Sequence, residues 1–126
     1  MTHTFFEKNN YNKVQSRQEG PFIVSHEWQY ESTQLELVFD PSEEYWDELV
    51  EKLDSGEWMH IVAKVAVYYD GRELGSAYLG SVVCEDPEEW FNTEVDYVAD
   101  LEEQALEEAR NETVRMLDRL KADFLQ

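Results

Sequence analysis

Trp58–Cys84 reads WMHIVAKVAVYYDGRELGSAYLGSVVC, and the fold turns on this stretch. Met59, Ile61, Ala63, Val65, Val67 and Tyr69 alternate with His60, Val62, Lys64, Ala66 and Tyr68, the period of two that gives a strand one apolar face. Asp70-Gly71 follows, a pair that accepts the positive φ angles of a type I′ turn, so Arg72–Cys84 is predicted as the partner strand of a hairpin. A two-residue turn sets Val67 opposite Leu74, Ala63 opposite Tyr78 and Met59 opposite Val82, apolar mostly against apolar.

Upstream, Phe22, Val24, His26, Trp28 and Tyr30 alternate along Pro21–Tyr30, and Leu35, Leu37 and Phe39 alternate again. These predict a second hairpin, turning at Glu31-Ser32-Thr33. Asp40-Pro41-Ser42-Glu43 carries a cap, a proline at the first helical position and a glutamate closing a capping box, so a helix is expected over 41–54, stopped by Gly56. Asp86-Pro87-Glu88-Glu89 repeats that start signal, and each is followed by aromatics: Tyr45-Trp46 and Trp90-Phe91. The echo suggests two ββα halves, although capping chemistry alone also produces it. From Glu94 to Phe124, residues Val98, Leu101, Ala105, Ala109, Thr113, Met116, Leu117, Leu120 and Phe124 keep a helical period, with Asn92-Thr93 as an interruption before it. About 30 residues at 1.5 Å give roughly 45 Å, long enough for one end to project, bend or pack on a second copy.

The expected fold is therefore α+β: an antiparallel four-stranded sheet in ββαββα order, helices packed on one face, and a long C-terminal helix. Residues 1–20 show no period and read as an irregular arm, pinned by Phe5, Phe6 and Tyr11, ahead of a single domain over 21–126.

The 126 residues include 29 acidic and 10 basic ones, a formal net charge of −19. Such a surface repels nucleic acids and anionic membranes. With 42% hydrophobic and 13% aromatic residues the chain is not expected to be disordered. One cysteine, no apolar run of membrane-spanning length and no basic-then-apolar leader point to a soluble, cytoplasmic protein in a reducing compartment.

The charge is uneven. No lysine or arginine lies between Arg72 and Arg110, while Glu85, Asp86, Glu88, Glu89, Glu94, Asp96, Asp100, Glu102, Glu103, Glu107 and Glu108 fall within it. Those eleven carboxylates span 24 residues, roughly 36 Å if helical, or one per ~3.3 Å. One strand of B-DNA carries a phosphate per ~3.4 Å. A solvent-facing helix ordinarily mixes Glu with Lys at i,i+4, and this one forgoes those pairs. The expectation is an acidic partner-binding face on a small inhibitor that occupies the basic nucleic-acid-binding surface of another protein, a nuclease or a CRISPR or restriction component. Phage anti-CRISPR and anti-restriction proteins of the DNA-mimic type combine such size and charge with an absence of catalytic motifs. The alternatives are an immunity protein or antitoxin neutralising a basic nuclease toxin, and an adaptor that forms a homodimer through the long helix, without nucleic-acid connection.

Enzymatic signatures are missing: no phosphate-binding glycine loop, HExxH, CxxC, EF-hand loop or GxSxG. Cys84 stands beside Glu85 and Asp86, which raise a thiol pKa rather than activate it. His26 and His60 lie on strands. Clustered carboxylates such as Asp86, Glu88 and Glu89, or Glu103 and Glu107, attract Ca²⁺ or Mg²⁺ only weakly. No catalytic residue, metal site or cofactor is expected. Trp28, Trp46, Trp58 and Trp90 are expected in the core, with one or two free to anchor an interface.

Overall fold

The computed structural model describes residues 10–125. Strands β1 (Asn12–Glu19) and β2 (Phe22–Tyr30) are followed by one 3-10 turn (Leu35–Leu37) and helix α1 (Trp46–Ser55). Strands β3 (Met59–Tyr69) and β4 (Arg72–Cys84) come next, then helices α2 (Pro87–Thr93) and α3 (Val95–Phe124). The sheet is an antiparallel meander in the order β1-β2-β3-β4. The fold is α+β with a four-stranded sheet and a long C-terminal helix, but the element order is ββαββαα rather than ββαββα.

The first hairpin lies one strand earlier than the sequence predicts. Asn12–Glu19, read as irregular arm, is β1, joined to β2 through Gly20 (φ +59°) and Pro21. Glycine supplies the positive φ that starts this connection. Leu35–Phe39 is not a strand because both edges of β2 are already taken, by β1 and by β3. The Phe39 ring instead meets His60 and Tyr45 edge-on. Phe5 and Phe6 lie outside the described residues.

The second hairpin forms as expected: Asp70 (φ +51°) and Gly71 (φ +77°) make the turn. Its register departs from the uniform one. Val67 faces Gly75, Ala63 faces Leu79 and Met59 faces Cys84, because irregularities between Val67 and Tyr68 and between Ile61 and Ala63 insert extra β4 residues. At the second, Ser81 takes φ +54° and its N–H donates to Glu31 Oε1 at 2.8 Å.

Asp40 does not start a helix. Its Oδ1 accepts from the Ser42 N–H (2.9 Å) and hydroxyl (2.8 Å), a local turn that competes with helix, and α1 begins only at Trp46. Gly56 (φ +84°) ends α1 as predicted.

The core is the face of the sheet carrying Val24, Ile61, Ala63, Val65, Val67 and Ala77, closed by Trp90 and Phe91 of α2 and Val98, Leu101, Ala105, Leu106 and Ala109 of α3. The approach is closest at Gly75, where an added Cβ would lie 2.3 Å from the Ala105 carbonyl oxygen. The opposite face buries charge: Lys64 Nζ bonds Glu73 at 2.8 Å and lies 3.9 Å from Glu27, under the Tyr11 ring. Among the described residues no helix is long and apolar enough to cross a membrane.

Candidate functional site

The carboxylate run from Glu85 to Glu108 begins where β4 hands over to α2. Pro87 fits the first helical position, and the Asp86 side chain accepts from the Glu88 N–H at 3.1 Å, capping the helix. Buried Trp90 and Phe91 then fix α2 against the sheet. The interruption expected at Asn92-Thr93 falls at Glu94 (φ −90°, ψ 61°), the single residue between α2 and α3.

The spacing of α3 sorts its residues. Val98, Leu101, Ala105 and Ala109 are buried. Asp96, Asp100, Glu103 and Glu107, at i, i+4, i+7 and i+11, form one exposed line on the opposite side. That line is about 16.5 Å long, from 11 steps of 1.5 Å.

Three of the eleven predicted carboxylates do structural work. Asp86 is the cap of α2. Glu108 accepts the Ser76 N–H at 3.1 Å and so ties α3 to β4. Glu102 faces inward: its side chain is only 17% exposed, with Arg17 at 2.7 Å and His26 Nε2 at 2.6 Å. Burial by itself raises the Glu102 pKa, but hydrogen bonds from Arg17 and His26 outweigh it and hold the carboxyl below the usual range. His26 is stacked on Phe91, with ring centroids 4.8 Å apart. The Gln15 amide donates to His26 Nδ1 at 2.9 Å, which leaves Nε2 as the N–H that donates to Glu102. This inward triad escaped sequence reasoning; its only signal was a glutamate at a spacing that turns it toward the core-facing side.

Eight carboxylates remain: Glu85, Glu88, Glu89, Glu94, Asp96, Asp100, Glu103 and Glu107. All are exposed, and none forms an ion pair among the described residues. Eight over roughly 36 Å is one per ~4.5 Å, sparser than the ~3.3 Å that the sequence suggested. Between β3 and α2, Trp58 and Trp90 share a cleft of about 330 Å³ with Glu85, Asp86, Glu89 and Glu94. Carboxylates around indole faces suit a guanidinium or ammonium group. Trp90 is core, as expected, and Trp28, Trp46 and Trp58 are half-buried.

Cys84 borders the same cleft. Burial first, and the Asp86 charge second, push its thiol up to about 11, so it is protonated at neutral pH. His60 is lowered by burial, and its Nε2 has no partner among the described residues. No group of three His, Cys, Asp or Glu side chains arranged to hold a metal occurs among the described residues. Compared with protein-family models, with curated proteins and with solved structures, the chain matches none.

Proposed function

We propose that the chain is an acidic inhibitor whose α2–α3 face occupies the basic nucleic-acid-binding surface of a partner protein. The observation that carries this reading is the line Asp96-Asp100-Glu103-Glu107: four carboxylates, unpaired among the described residues, on one rigid helix face, with no cation in α3 before Arg110. Placing like charges at i,i+4 costs helix stability, and a merely solvated face gains nothing from it. A helix already ordered enters a cationic groove with little conformational cost and releases the counterions a phosphate backbone would release. The Trp58–Trp90 cleft supplies a place for one arginine or lysine of that groove.

The test is capture and displacement. The immobilised chain is expected to retain basic nucleic-acid-binding proteins from a host extract, to release them to duplex DNA or to raised salt, and to lose them in the variant D96K/D100K/E103K/E107K. Glu102 and Glu108 are left intact in that variant because they hold α3 in place. Retention that ignores both DNA and salt, or that survives the fourfold reversal, overturns the reading.

A further inference from the structure

The apolar stripe of α3 does not end where the sheet ends. Thr113, Met116, Leu117, Leu120 and Phe124 continue the line of Val98, Leu101, Ala105 and Ala109 at spacings of three and four. Up to Ala109 the stripe is fully buried; Leu117 is 52%, Leu120 50% and Phe124 75% exposed. The helix thus overhangs the body by two turns with its core-type side chains uncovered. Beneath the overhang, Pro21, Phe22, Tyr69 and Leu74 join Met116 and Leu120 around an apolar cleft of about 460 Å³.

We infer that a second copy of this chain covers the stripe, the two overhanging helices packing antiparallel and each reaching toward the other's cleft. Charge selects this occupant. Residues 110–125 hold Arg110, Arg115, Arg119 and Lys121 against Glu112, Asp118 and Asp123, a balance of +1 on a chain of −19. A basic partner is drawn to the acidic face instead, and a polyanion is repelled by the whole. Here two strongly acidic bodies meet through segments without net negative charge, and antiparallel pairing about a midpoint near residue 119 sets Asp123 of one helix opposite Arg115 of the other.

The area is modest. Leu117, Leu120 and Phe124 each keep half or more of their surface, on the order of 350 Å² in all, taking large apolar side chains at roughly 200 Å² each. Even with the cleft walls added this stays below the ~800 Å² per partner of a standard interface, so the pairing is expected to depend on concentration. The pairing leaves the line Asp96–Glu107 free on the far side of each helix. From Glu107 to the midpoint near residue 119 is 12 steps of 1.5 Å, so the two acidic lines start roughly 36 Å apart, well beyond the ~8 Å screening length.

The experiment is sedimentation velocity on the full chain at concentrations from about 1 µM to about 500 µM, in 0.15 M and 1 M NaCl. The expected result is a species of twice 14.9 kDa that grows with concentration and with salt, because screening removes the repulsion while the contact is apolar. Leu117→Glu/Leu120→Glu should be monomeric throughout, with an unchanged far-UV circular dichroism spectrum, since both side chains lie outside the core. Glu103→Lys, on the opposite face, should leave the dimer intact. A 14.9 kDa species at every concentration overturns the inference, and so does a dimer that survives the double leucine variant or is lost in Glu103→Lys.

Discussion

Lys64 shows how much at the residue scale depends on partners far away in the chain. It is 4% exposed and Glu27 only 2%, on a strand face the sequence shows as mixed. Burial pulls the Lys64 pKa down, but the bond and charge of Glu73, with Tyr78 and Glu27, outweigh it and raise the value. Tyr68 completes the cluster by donating to Glu27 at 2.7 Å. Replacing Lys64 by Met leaves Glu27 buried and uncompensated, so Lys64→Met should lose about 3–5 kcal/mol in urea unfolding, and Lys64→Met/Glu27→Gln should recover at least half. Equal losses in the two variants would mean that packing, not charge, sets the cost. Glu102 is the second such residue. Its depressed pKa means its contribution is complete above the ordinary carboxylate value near 4.3 and is lost as pH falls through the folded-state value. Glu102→Gln should therefore cost about 1.5–3 kcal/mol at pH 7 and flatten the acid limb of a stability–pH profile. Neither residue's role was legible in the sequence, because Arg17 is 85 positions from Glu102 and Lys64 is 37 from Glu27. Sequence periodicity reports which face a side chain takes, not what waits there.

At the scale of elements, legibility followed local chemistry, with the start signal at Asp40-Pro41 the exception. The β3–β4 hairpin, the Gly56 stop and the Asp86-Pro87 helix start each rest on adjacent residues, and each is present. β1 was missed because an edge strand need not alternate: NKVQSRQE has one apolar residue, Val14, and both its faces are mostly wet. Leu35–Phe39 was over-read because three alternating apolar residues do not say whether a neighbouring strand has a free edge. The β4 register slipped twice because bulges leave no mark in a hydrophobic pattern. The contact between α3 and β4 is set by Gly75, whose missing Cβ lets the helix backbone approach. Gly75→Ala forces α3 outward, and a thermal melt should show destabilisation of about 1–3 kcal/mol. An unchanged melting temperature would show that the helix yields without penalty.

For the molecule as a whole, the charge of −19 divides into a near-neutral overhang and an acidic body whose exposed carboxylates line α2, one side of α3, and α1 with the residues flanking it. The sequence showed the cation-free interval but not which carboxylates were committed to the fold, since capping and inward bonding are tertiary facts. On the proposed inhibitor reading, that division makes stability and partner binding pull in opposite directions. Glu103 lies one turn from both Asp100 and Glu107, so Glu103→Lys turns two repulsions into two attractions and should stabilise the chain by about 1 kcal/mol at low salt, less at high salt. The same variant should weaken partner binding. The most direct measurement is a DNA-binding isotherm of the captured partner at increasing concentrations of this chain. Direct occupation of the nucleic-acid surface predicts that the apparent Kd for DNA rises linearly with the chain's concentration while the DNA-bound plateau stays unchanged, and that D96K/D100K/E103K/E107K has no such effect. A ternary complex of partner, DNA and this chain, with the Kd for DNA unmoved, would contradict it.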